Sequence, residues 1–433
     1  MHHRFVYRFA PSQIPLLVLV LMLSATGAGA AEVLSLDKAV AEALRANPGL
    51  AAIEARARAL AEIPEQAESL PDPRLSINLA NLPLDTFSFT QEGMTQFQVG
   101  FVQALPYPGK LGLRAEAASQ EARAAEADLD ERRLQLVRDV KIVWWNLYYM
   151  DRALEVIERN KVLLRQFVNV ATTRYQVGQG LQQDILLAQL ELSRLSDSAI
   201  SIHNMRENEV ARLNVLLDHP VSRTIELAIT VSELLPPIAD LQTLLTRAKQ
   251  SRPSLIAQSE RMGAARSRVD LAKKDYAPDF KLGAVYGLRD GRNINGSSRA
   301  DLGSIMFSMN LPIYTGSKQD RAVDQRNAEW IRQKYRLQDQ RNQVASQVQQ
   351  AVTDYRRMGE RAVLFQEEII PQARQTVDAM LAGYQVGKVD FLNLVRSQTT
   401  LYNYETQYWR ALSAANQALA RLVAAVGEEK IYE

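Results

Sequence analysis

The chain has 433 residues and contains no cysteine. Disulfides, thiol nucleophiles, thiolate metal sites and lipid attachment through an N-terminal cysteine are therefore excluded. Histidine is also scarce, since only His203 and His219 lie beyond the first three residues. These two stand far apart without a carboxylate motif, and the methionines lack the spacing of a metal-ligand cluster. The sequence accordingly predicts no metal site and no cofactor.

Catalytic and phosphate-binding motifs are missing as well. Gly109-Lys110-Leu111 lacks the earlier glycine and the following serine or threonine of a phosphate loop. No nucleophile elbow or catalytic dyad occurs, so we expect that the protein is not an enzyme. The 51 basic residues are balanced by 49 acidic ones without a basic block, which disfavours nucleic acid as a partner.

Long apolar runs are confined to the N-terminus. Arg4 and Arg8 precede a short apolar core at residues 14–23, and small residues at 28–30 provide a cleavage site. This pattern predicts a signal peptide over residues 1–30, because a membrane anchor would need a core of ~20 apolar residues. After the leader no run of ~18 apolar residues occurs, so the sequence predicts no membrane-spanning helix.

Two very long helices are the main predicted elements of the chain. Residues 110–177 contain no proline and a single glycine, Gly112, close to the start. Apolar residues recur there at helical spacing, which predicts one helix on the order of 100 Å long. A second long helix is predicted over residues 318–385, but it contains Pro371. Proline removes an internal hydrogen bond, so we expect a bent, movable second hairpin with Pro371 as its hinge.

The chain also carries an internal repeat with an offset of about 205–209 residues. The clearest matches are Leu105-Pro106 with Leu311-Pro312, and Tyr175-Gln176-Val177-Gly178 with Tyr384-Gln385-Val386-Gly387. Each repeat is expected to contain short helices, two strands, a long helix, a glycine turn and a returning helix. The predicted short helices cover residues 35–47, 50–70, 241–251 and 255–276, and the second returning helix covers 388–426.

This repeat sets the predicted domain organisation. The first repeat occupies residues 31–217 and the second occupies residues 238–427. A proline-bearing linker, 218–237, joins them in an equatorial region, and residues 428–433 form a C-terminal tail.

Four stretches alternate apolar and polar residues, the pattern of strands with two different faces. They cover about residues 74–82, 94–105, 279–288 and 302–311. Their length suits a tilted crossing of a bilayer, and the small, almost uncharged polar faces suit a water-filled lumen. A soluble sheet with one wet face is the alternative.

Four strands cannot close a barrel, and an open edge is not tolerated in lipid. Copies of the chain must therefore share one barrel. Two copies would give eight strands and a filled interior, whereas three give twelve strands and a water-filled bore. The predicted fold is mainly α with a membrane β-barrel: four strands per chain join a trimeric 12-strand barrel, and antiparallel helical hairpins continue it as an α-barrel tunnel.

The tandem repeat, the Leu-Pro dipeptides before each long helix and the paired Tyr-Gln-Val-Gly turns together resemble the TolC family of outer membrane efflux proteins. The resemblance covers nearly the whole chain after the leader. Residues 79–83 and 107–114 resemble the heavy-metal resistance branch, the outer membrane partners of cobalt-zinc-cadmium or copper-silver pumps. The resemblance implies a homotrimer that docks through its glycine turns on a periplasmic membrane-fusion adaptor, which sits on an inner-membrane RND-type transporter.

The resemblance also implies roles for residues at these turns. The implied adaptor contacts are Val177, Gly178, Val386 and Gly387, and the implied aperture residues are Asp184 and Tyr384. TolC carries an arginine and two aspartates where this chain has Val389, Asn393 and Arg396. An acidic ring at the entrance is therefore not expected, and Lys388 or Asp390 is expected to supply part of the gating electrostatics.

The function that follows is a passive outer membrane export duct of a tripartite efflux system, with heavy-metal ions as the expected cargo. It would lie in the outer membrane lipid of a Gram-negative bacterium, with a long periplasmic extension. A multidrug efflux or type I protein secretion channel is the alternative. A periplasmic coiled-coil scaffold without a pore is a reading from another class, but such a scaffold has no use for the alternating strands.

Overall fold

The computed structural model describes residues 33–228, 231–428 and 431, so the predicted signal peptide lies outside the described residues. The described chain is mainly helical with one four-stranded sheet. Both halves pass through the same order of elements. Those of the first half are α1 (Leu36–Ala46), α2 (Pro48–Ala61), α3 (Ile63–Glu68), β1 (Arg74–Ala80), β2 (Gln96–Leu105), α4 (Lys110–Gln176) and α5 (Gln182–Leu216).

The second half begins with α6 (Leu241–Ser251), α7 (Pro253–Lys274), β3 (Phe280–Leu288) and β4 (Leu302–Met309). It then contains α8 (Gln319–Leu364), a π-helical turn (Phe365–Ile369), α9 (Ile370–Gln385) and α10 (Phe391–Val426). None of the described helices combines the length and the apolar composition that a crossing of the bilayer requires.

The helix predicted over residues 50–70 is wrong in one respect, because the structure divides it in two. It ends at Ala61 and restarts at Ile63, with Glu62 between them. Pro64 stands in the first turn of the restarted helix, where its missing N–H costs no internal hydrogen bond. Placed inside a continuous helix, the same residue would remove such a bond, so the helix is interrupted just before it.

The first long helix, α4, has the predicted extent and holds most of the other helices. Its upper part packs on α7 through alanines, among them Ala124, Ala127 and Ala257, which lie buried together. Cross-helix ion pairs flank them; in one, Arg268 Nη1 lies 3.1 Å from Glu121 Oε1. The lower part of α4 packs on α5 and α10 around apolar residues such as Leu164.

The second long helix is not continuous. The π-helical turn separates α8 from α9, and Pro371 lies in the first turn of α9. A π turn shifts the hydrogen-bonding register by one residue and often marks a functional site in a helix. The predicted irregularity at Pro371 is therefore present, although it begins earlier than the proline itself.

The four strands form one antiparallel sheet in the order β1-β2-β3-β4, and the pairing of β2 with β3 joins the two halves. Apolar side chains from all four strands share one face: Leu75, Ile77, Leu79, Phe97, Val99, Phe101, Leu282, Ala284, Tyr286, Ile305, Phe307 and Met309. This face is largely uncovered; Leu75 is 70% exposed and Ile305 is 87% exposed. The other face carries mainly small or polar residues such as Ser76 and Asn78, together with Val285 and Met306, and β1 and β4 are the outer strands.

A buried lysine fastens the sheet to the helices. Lys110, the first residue of α4, is 2% exposed, and its Nζ lies 3.0 Å from Asp275 Oδ1 and 2.9 Å from Asp279 Oδ1. The same Asp279 oxygen accepts a hydrogen bond of 2.8 Å from the backbone N–H of Tyr107. The end of β2 and the start of β3 are thus held to the start of α4 by one charged cluster.

Replacing this lysine by methionine should weaken the junction. Lys110→Met keeps an unbranched apolar stem but leaves the two carboxylates without their cation, which should lower the free energy of unfolding by about 1–3 kcal/mol. The midpoint of thermal unfolding of the detergent-solubilised protein, followed by circular dichroism, measures this loss. Lys273→Met is the matched control, because Lys273 makes an exposed pair with Asp270. Equal effects of the two substitutions would contradict a special role for Lys110.

Candidate functional site at the paired helix turns

The turns that connect α4 to α5 and α9 to α10 have the same backbone conformation. Gly178 and Gly387 adopt φ angles of 73° and 74°, which lie in the left-handed region. In the first turn, the N–H of Gly178 donates to the carbonyl of Tyr175 at 3.0 Å, and the N–H of Gln179 donates to that of Arg174 at 2.8 Å. The second turn repeats both bonds. This pattern is the glycine-terminated Schellman cap, which explains why each helix stops there.

Both turns present apolar side chains to the surroundings. Val177 is 62% exposed and Val386 is 68% exposed, and Leu181 at the start of α5 is exposed as well. Apart from its own chain neighbours, Gly178 has nothing within 4 Å of the position that a Cβ would take among the described residues. The predicted contact residues therefore form an accessible, partly apolar surface, although no partner is present to cover it.

An arginine ties the two turns to each other. The guanidinium of Arg174 lies over the ring of Tyr384, 4.6 Å from its centroid, and Nη1 donates to the carbonyl oxygen of Tyr384. The Nη2 group donates to the carbonyl oxygen of Gln179 at 3.2 Å. One side chain at the end of α4 thus holds the end of α9 and its own turn at once.

The two predicted aperture residues are brought together beside this arginine. The hydroxyl of Tyr384 donates to Oδ2 of Asp184 at 3.4 Å, and its buried ring packs against Phe391. Burial raises the pKa of the Tyr384 hydroxyl above its ordinary value, and the charge of Asp184 raises it further. The hydroxyl therefore remains protonated, and able to donate to Asp184, beyond the pH at which an exposed tyrosine ionises.

Lys388 and Asp390 lie in the second turn but do not join this cluster. Both side chains are exposed, and within the described part of the chain neither makes an ion pair. Their backbone groups make hydrogen bonds within the turn. The N–H of Lys388 donates to the carbonyl of Gly383, and the carbonyl of Asp390 accepts from the N–H of Asn393. The gating role expected for these two charges stays a prediction.

Sequence reasoning missed Arg174, although a signal for it exists. The residue precedes the Tyr-Gln-Val-Gly motif in the first repeat, whereas Gly383 precedes it in the second. A difference between repeats at an otherwise matched motif indicates a residue that serves something other than the shared fold. Its target, the carbonyl of Tyr384, lies 210 residues away in the chain, so only the structure could reveal the pair.

The hinge candidate lies above the second turn. Pro371 is exposed, whereas Phe365 in the π-helical turn is buried against Tyr404 of α10. Because a helix rises ~1.5 Å per residue, the proline stands on the order of 20 Å from the turn that ends α9. The irregular stretch therefore lies in the hairpin that carries Tyr384, and α4 has no equivalent interruption.

The described residues contain no group of three or more histidine, cysteine, aspartate or glutamate side chains that could hold a metal ion. His219, one of the two histidines beyond the N-terminus, has its Nε2 atom 2.8 Å from Glu42 Oε1. This contact joins the segment after α5 to α1. His219 thus has a structural position, as the sequence indicated.

Comparison with known families gives a match over most of the chain. The family model described as outer membrane efflux protein matches residues 39–218 and 244–428. The two matched segments correspond to the two halves of the structure, each including its strands and its long hairpin.

Individual relatives are distant in sequence. The outer membrane protein TolC of Vibrio cholerae is 20% identical over 362 residues, which cover 82% of each protein. The outer membrane protein TolC of Escherichia coli is also 20% identical, over 62% of this chain and 56% of the relative, so the alignment spans little more than half of that protein.

Solved structures share the fold over nearly the whole chain. The outer membrane protein VceC of Vibrio cholerae superimposes with a TM-score of 0.76, at 20% identity, over 91% of this chain and 96% of that one. The transmembrane channel protein CusC superimposes with a TM-score of 0.77, at 16% identity, over 91% and 92%.

Removal of the connecting arginine should loosen both turns. Arg174→Ala deletes the stacking on Tyr384 and the hydrogen bonds to two carbonyls. If the free energy of local opening of the turns falls by about 1.4 kcal/mol, the population of the open state rises tenfold. We expect amide hydrogen exchange in residues 175–181 and 384–390 to become at least tenfold faster. Arg165→Ala, an exposed position on the same helix, is the control. Unchanged exchange in the Arg174 variant would show that the turns are held by other contacts.

Proposed function

Because the chain belongs to the outer membrane efflux protein family, we propose that it is the outer membrane channel of a tripartite efflux system. In this role it conducts cargo passively from the periplasm and an inner-membrane pump to the exterior. The members of this family are transport proteins rather than enzymes. The energy for transport must therefore come from a partner.

The uncovered apolar face of the sheet is the observation that carries this proposal. A face of twelve apolar side chains, most of them exposed, is far from the scattered apolar residues of a soluble surface. Such a face is stable in contact with outer membrane lipid. The opposite face carries mainly small or polar side chains, with Val102, Val285 and Met306 among them, which suits a water-filled bore.

The two outer strands determine how many copies are needed. Neither β1 nor β4 has a further partner strand in the described chain, and unpaired backbone groups are not tolerated in lipid. Three copies, each supplying four strands, would give a closed twelve-strand barrel with room for water. The helices would continue this barrel as a periplasmic tunnel of four helical segments from each copy.

The paired turns then lie at the inner end of the tunnel. We assign Val177, Gly178, Val386 and Gly387 to contact with a periplasmic adaptor, which in turn sits on an RND-type transporter. Asp184 and Tyr384, of which Tyr384 is held by Arg174, would keep the aperture closed, with Lys388 and Asp390 nearby in the second turn. The hinge at Pro371 would let the second hairpin move when the adaptor binds.

Heavy-metal ions are the proposed cargo. The support is the resemblance of residues 79–83 and 107–114 to the heavy-metal branch, together with the shared fold of CusC. A multidrug or type I secretion channel is the alternative, since the fold of the outer membrane protein VceC matches with a TM-score of 0.76, against 0.77 for CusC. A scaffold without a pore would leave the apolar face of the sheet unexplained.

The domain organisation and the location follow from the same proposal. Residues 1–30 would be removed on export, and residues 31–217 and 238–427 would be the two repeats of a duct in the outer membrane of a Gram-negative bacterium. The linker at 218–237 would form an equatorial band on the periplasmic section. Part of it is fastened to the second repeat, where the hydroxyl of Tyr355 donates to the carbonyl of Pro236 at 2.5 Å.

The architecture is tested by isolation of the protein from an outer membrane fraction. Unheated gel electrophoresis should show a trimer that heating converts to a monomer, and the purified trimer should conduct ions across a planar lipid bilayer. The reason is that only a closed ring satisfies the outer strands in lipid. A water-soluble monomer, with residues 74–80 and 96–105 open to protease, would overturn the proposal.

The hinge is tested in the same bilayers with Pro371→Ala. Alanine restores the missing N–H, so the second hairpin should straighten and the conductance of the inner end should change at least twofold, while trimer formation stays as in the original protein. Gln372→Ala, the next exposed position on the helix, is the control. Identical conductance in the two variants would remove Pro371 from the opening motion.

The cargo is tested by deletion of the gene in its host. We expect the deletion strain to become several-fold more sensitive to copper, silver, zinc or cadmium, with little change towards dyes and detergents, because a duct serves the pump to which it is coupled. Complementation with the original gene should restore resistance. The reverse pattern, sensitivity to dyes and detergents alone, would favour the multidrug alternative.

A further inference from the structure

A cavity of about 390 Å³ lies where α10 ends and α7 begins. It is lined by charged and amide side chains from α4, α8 and α10 and by the residue that precedes α7. These are Arg138, Asp139, Gln347, Gln350, Asp354, Arg421 and Arg252. The peripheral helices α1 and α6 contribute nothing to the lining, so the cavity belongs to the layer of long helices itself.

Arg252 is buried in this layer with only part of its guanidinium satisfied. Its side chain is 7% exposed, and Nη2 lies 2.7 Å from Oε1 of Glu131. Its Nη1 group is buried and has no hydrogen-bond partner among the described residues. Glu131 makes a one-point contact with Arg252: its Oε1 atom binds Nη2 and also accepts from Gln135 at 2.8 Å, whereas its Oε2 atom is buried without a partner among the described residues. A buried N–H group without a partner is costly, so such groups are rarely left unused.

The charges around Arg252 also leave its guanidinium incompletely neutralised. Burial lowers the pKa of Arg252 below its ordinary value; Glu131 opposes the shift, and the positive charge of Arg138 adds to it. Arg138 itself is paired with Asp139 at 2.8 Å. Among the described residues, the guanidinium of Arg421 at the rim donates one hydrogen bond, to Gln417 at 3.4 Å. The charged form of Arg252 is therefore incompletely compensated by the protein.

The other repeat shows that the fold does not require an arginine at this position. Asn47 is the counterpart of Arg252, since each directly precedes the proline that begins a helix. The side chain of Asn47 accepts from the N–H of Leu50 at 3.0 Å and donates to the carbonyl of Leu216 at 3.0 Å. Asn47 therefore caps α2, and both polar atoms of its side chain make hydrogen bonds. Arg252, in contrast, makes no capping hydrogen bond to α7. Arg252 therefore serves a need other than the start of the helix.

We propose that this cavity binds a compact oxyanion, a phosphate or a carboxylate group, through Arg252, Arg138 and Arg421. Guanidinium groups match the geometry of such oxygens and form charge-assisted hydrogen bonds with them. The amides of Gln347 and Gln350 are further donors in the lining. The carboxylates of Asp139 and Asp354 limit the negative charge that the cavity tolerates, which favours a small anion over a polyphosphate.

Calorimetric titration of the full-length, detergent-solubilised protein tests this site. Inorganic phosphate is the probe in one arm and acetate in the other, both at constant ionic strength, so that the two chemistries are separated. We expect saturable binding of at least one of them. Arg421→Gln should weaken it at least tenfold, since removal of one charge-assisted hydrogen bond typically has an effect of that size.

A double variant and a matched control complete the experiment. Glu131→Gln with Arg252→Gln removes both charges of the buried pair together, so that no charge is left unpaired, and should abolish binding. Arg212→Gln should leave binding unchanged, because Arg212 is the counterpart of Arg421 in the first repeat and pairs with Glu209 outside the cavity.

Two results would overturn the site. One is the absence of saturable binding of either anion below about 10 mM, which corresponds to less than ~3 kcal/mol of binding free energy. The other is equal binding in the original protein, Arg421→Gln and Arg212→Gln, which would indicate adventitious ion binding only. Neither result bears on the export duct, because the site is defined by chemistry within one copy and does not rest on conduction.

Discussion

A helix of 67 residues in a folded protein draws most of its stability from packing, so its apolar side chains need partners at successive points along its length. The structure meets this constraint on α4 by supplying partners in succession. Short helices and α7 cover its upper part, where buried alanines allow close contact and ion pairs flank them. The helices α5 and α10 cover its lower part through an apolar cluster. The sheet is attached where α4 begins, through Lys110, and the candidate site lies where α4 ends.

The two halves share an order of elements but differ in the continuity of their helices and in single residues. In the first half α4 is unbroken, although α2 and α3 are separated at Glu62, and both polar atoms of the Asn47 side chain make hydrogen bonds. The second half differs from the first by a π-helical turn, by Pro371 and by the buried Arg252. Arg174 connects the two halves, because it extends from the end of α4 to the carbonyl oxygen of Tyr384 at the end of α9.

Local patterns in the sequence predicted the elements well. Residues 110–177 and 241–251 were assigned from proline, glycine and apolar spacing, and the structure has these helices within a residue of those limits. The strand alternation also gave the apolar face correctly. The break at Glu62 and the π-helical turn were missed, because each depends on hydrogen bonds that a helical period does not encode. Asp184 and Tyr384 were proposed together from the resemblance, whereas Arg174 and Arg252 depend on contacts across more than a hundred residues.

The pairing of β2 with β3 has a consequence for the order in which the molecule can form. Phe97 lies opposite Leu288, so the central pair of strands cannot assemble until the chain has been synthesised past residue 288, well into the second half. Pairings between segments that are distant in the chain form slowly. Until β3 pairs with β2, the apolar side chains of the β1–β2 hairpin remain exposed. The apolar side chains of the first hairpin are therefore open to association with other chains until residues 280–288 become available to pair with β2.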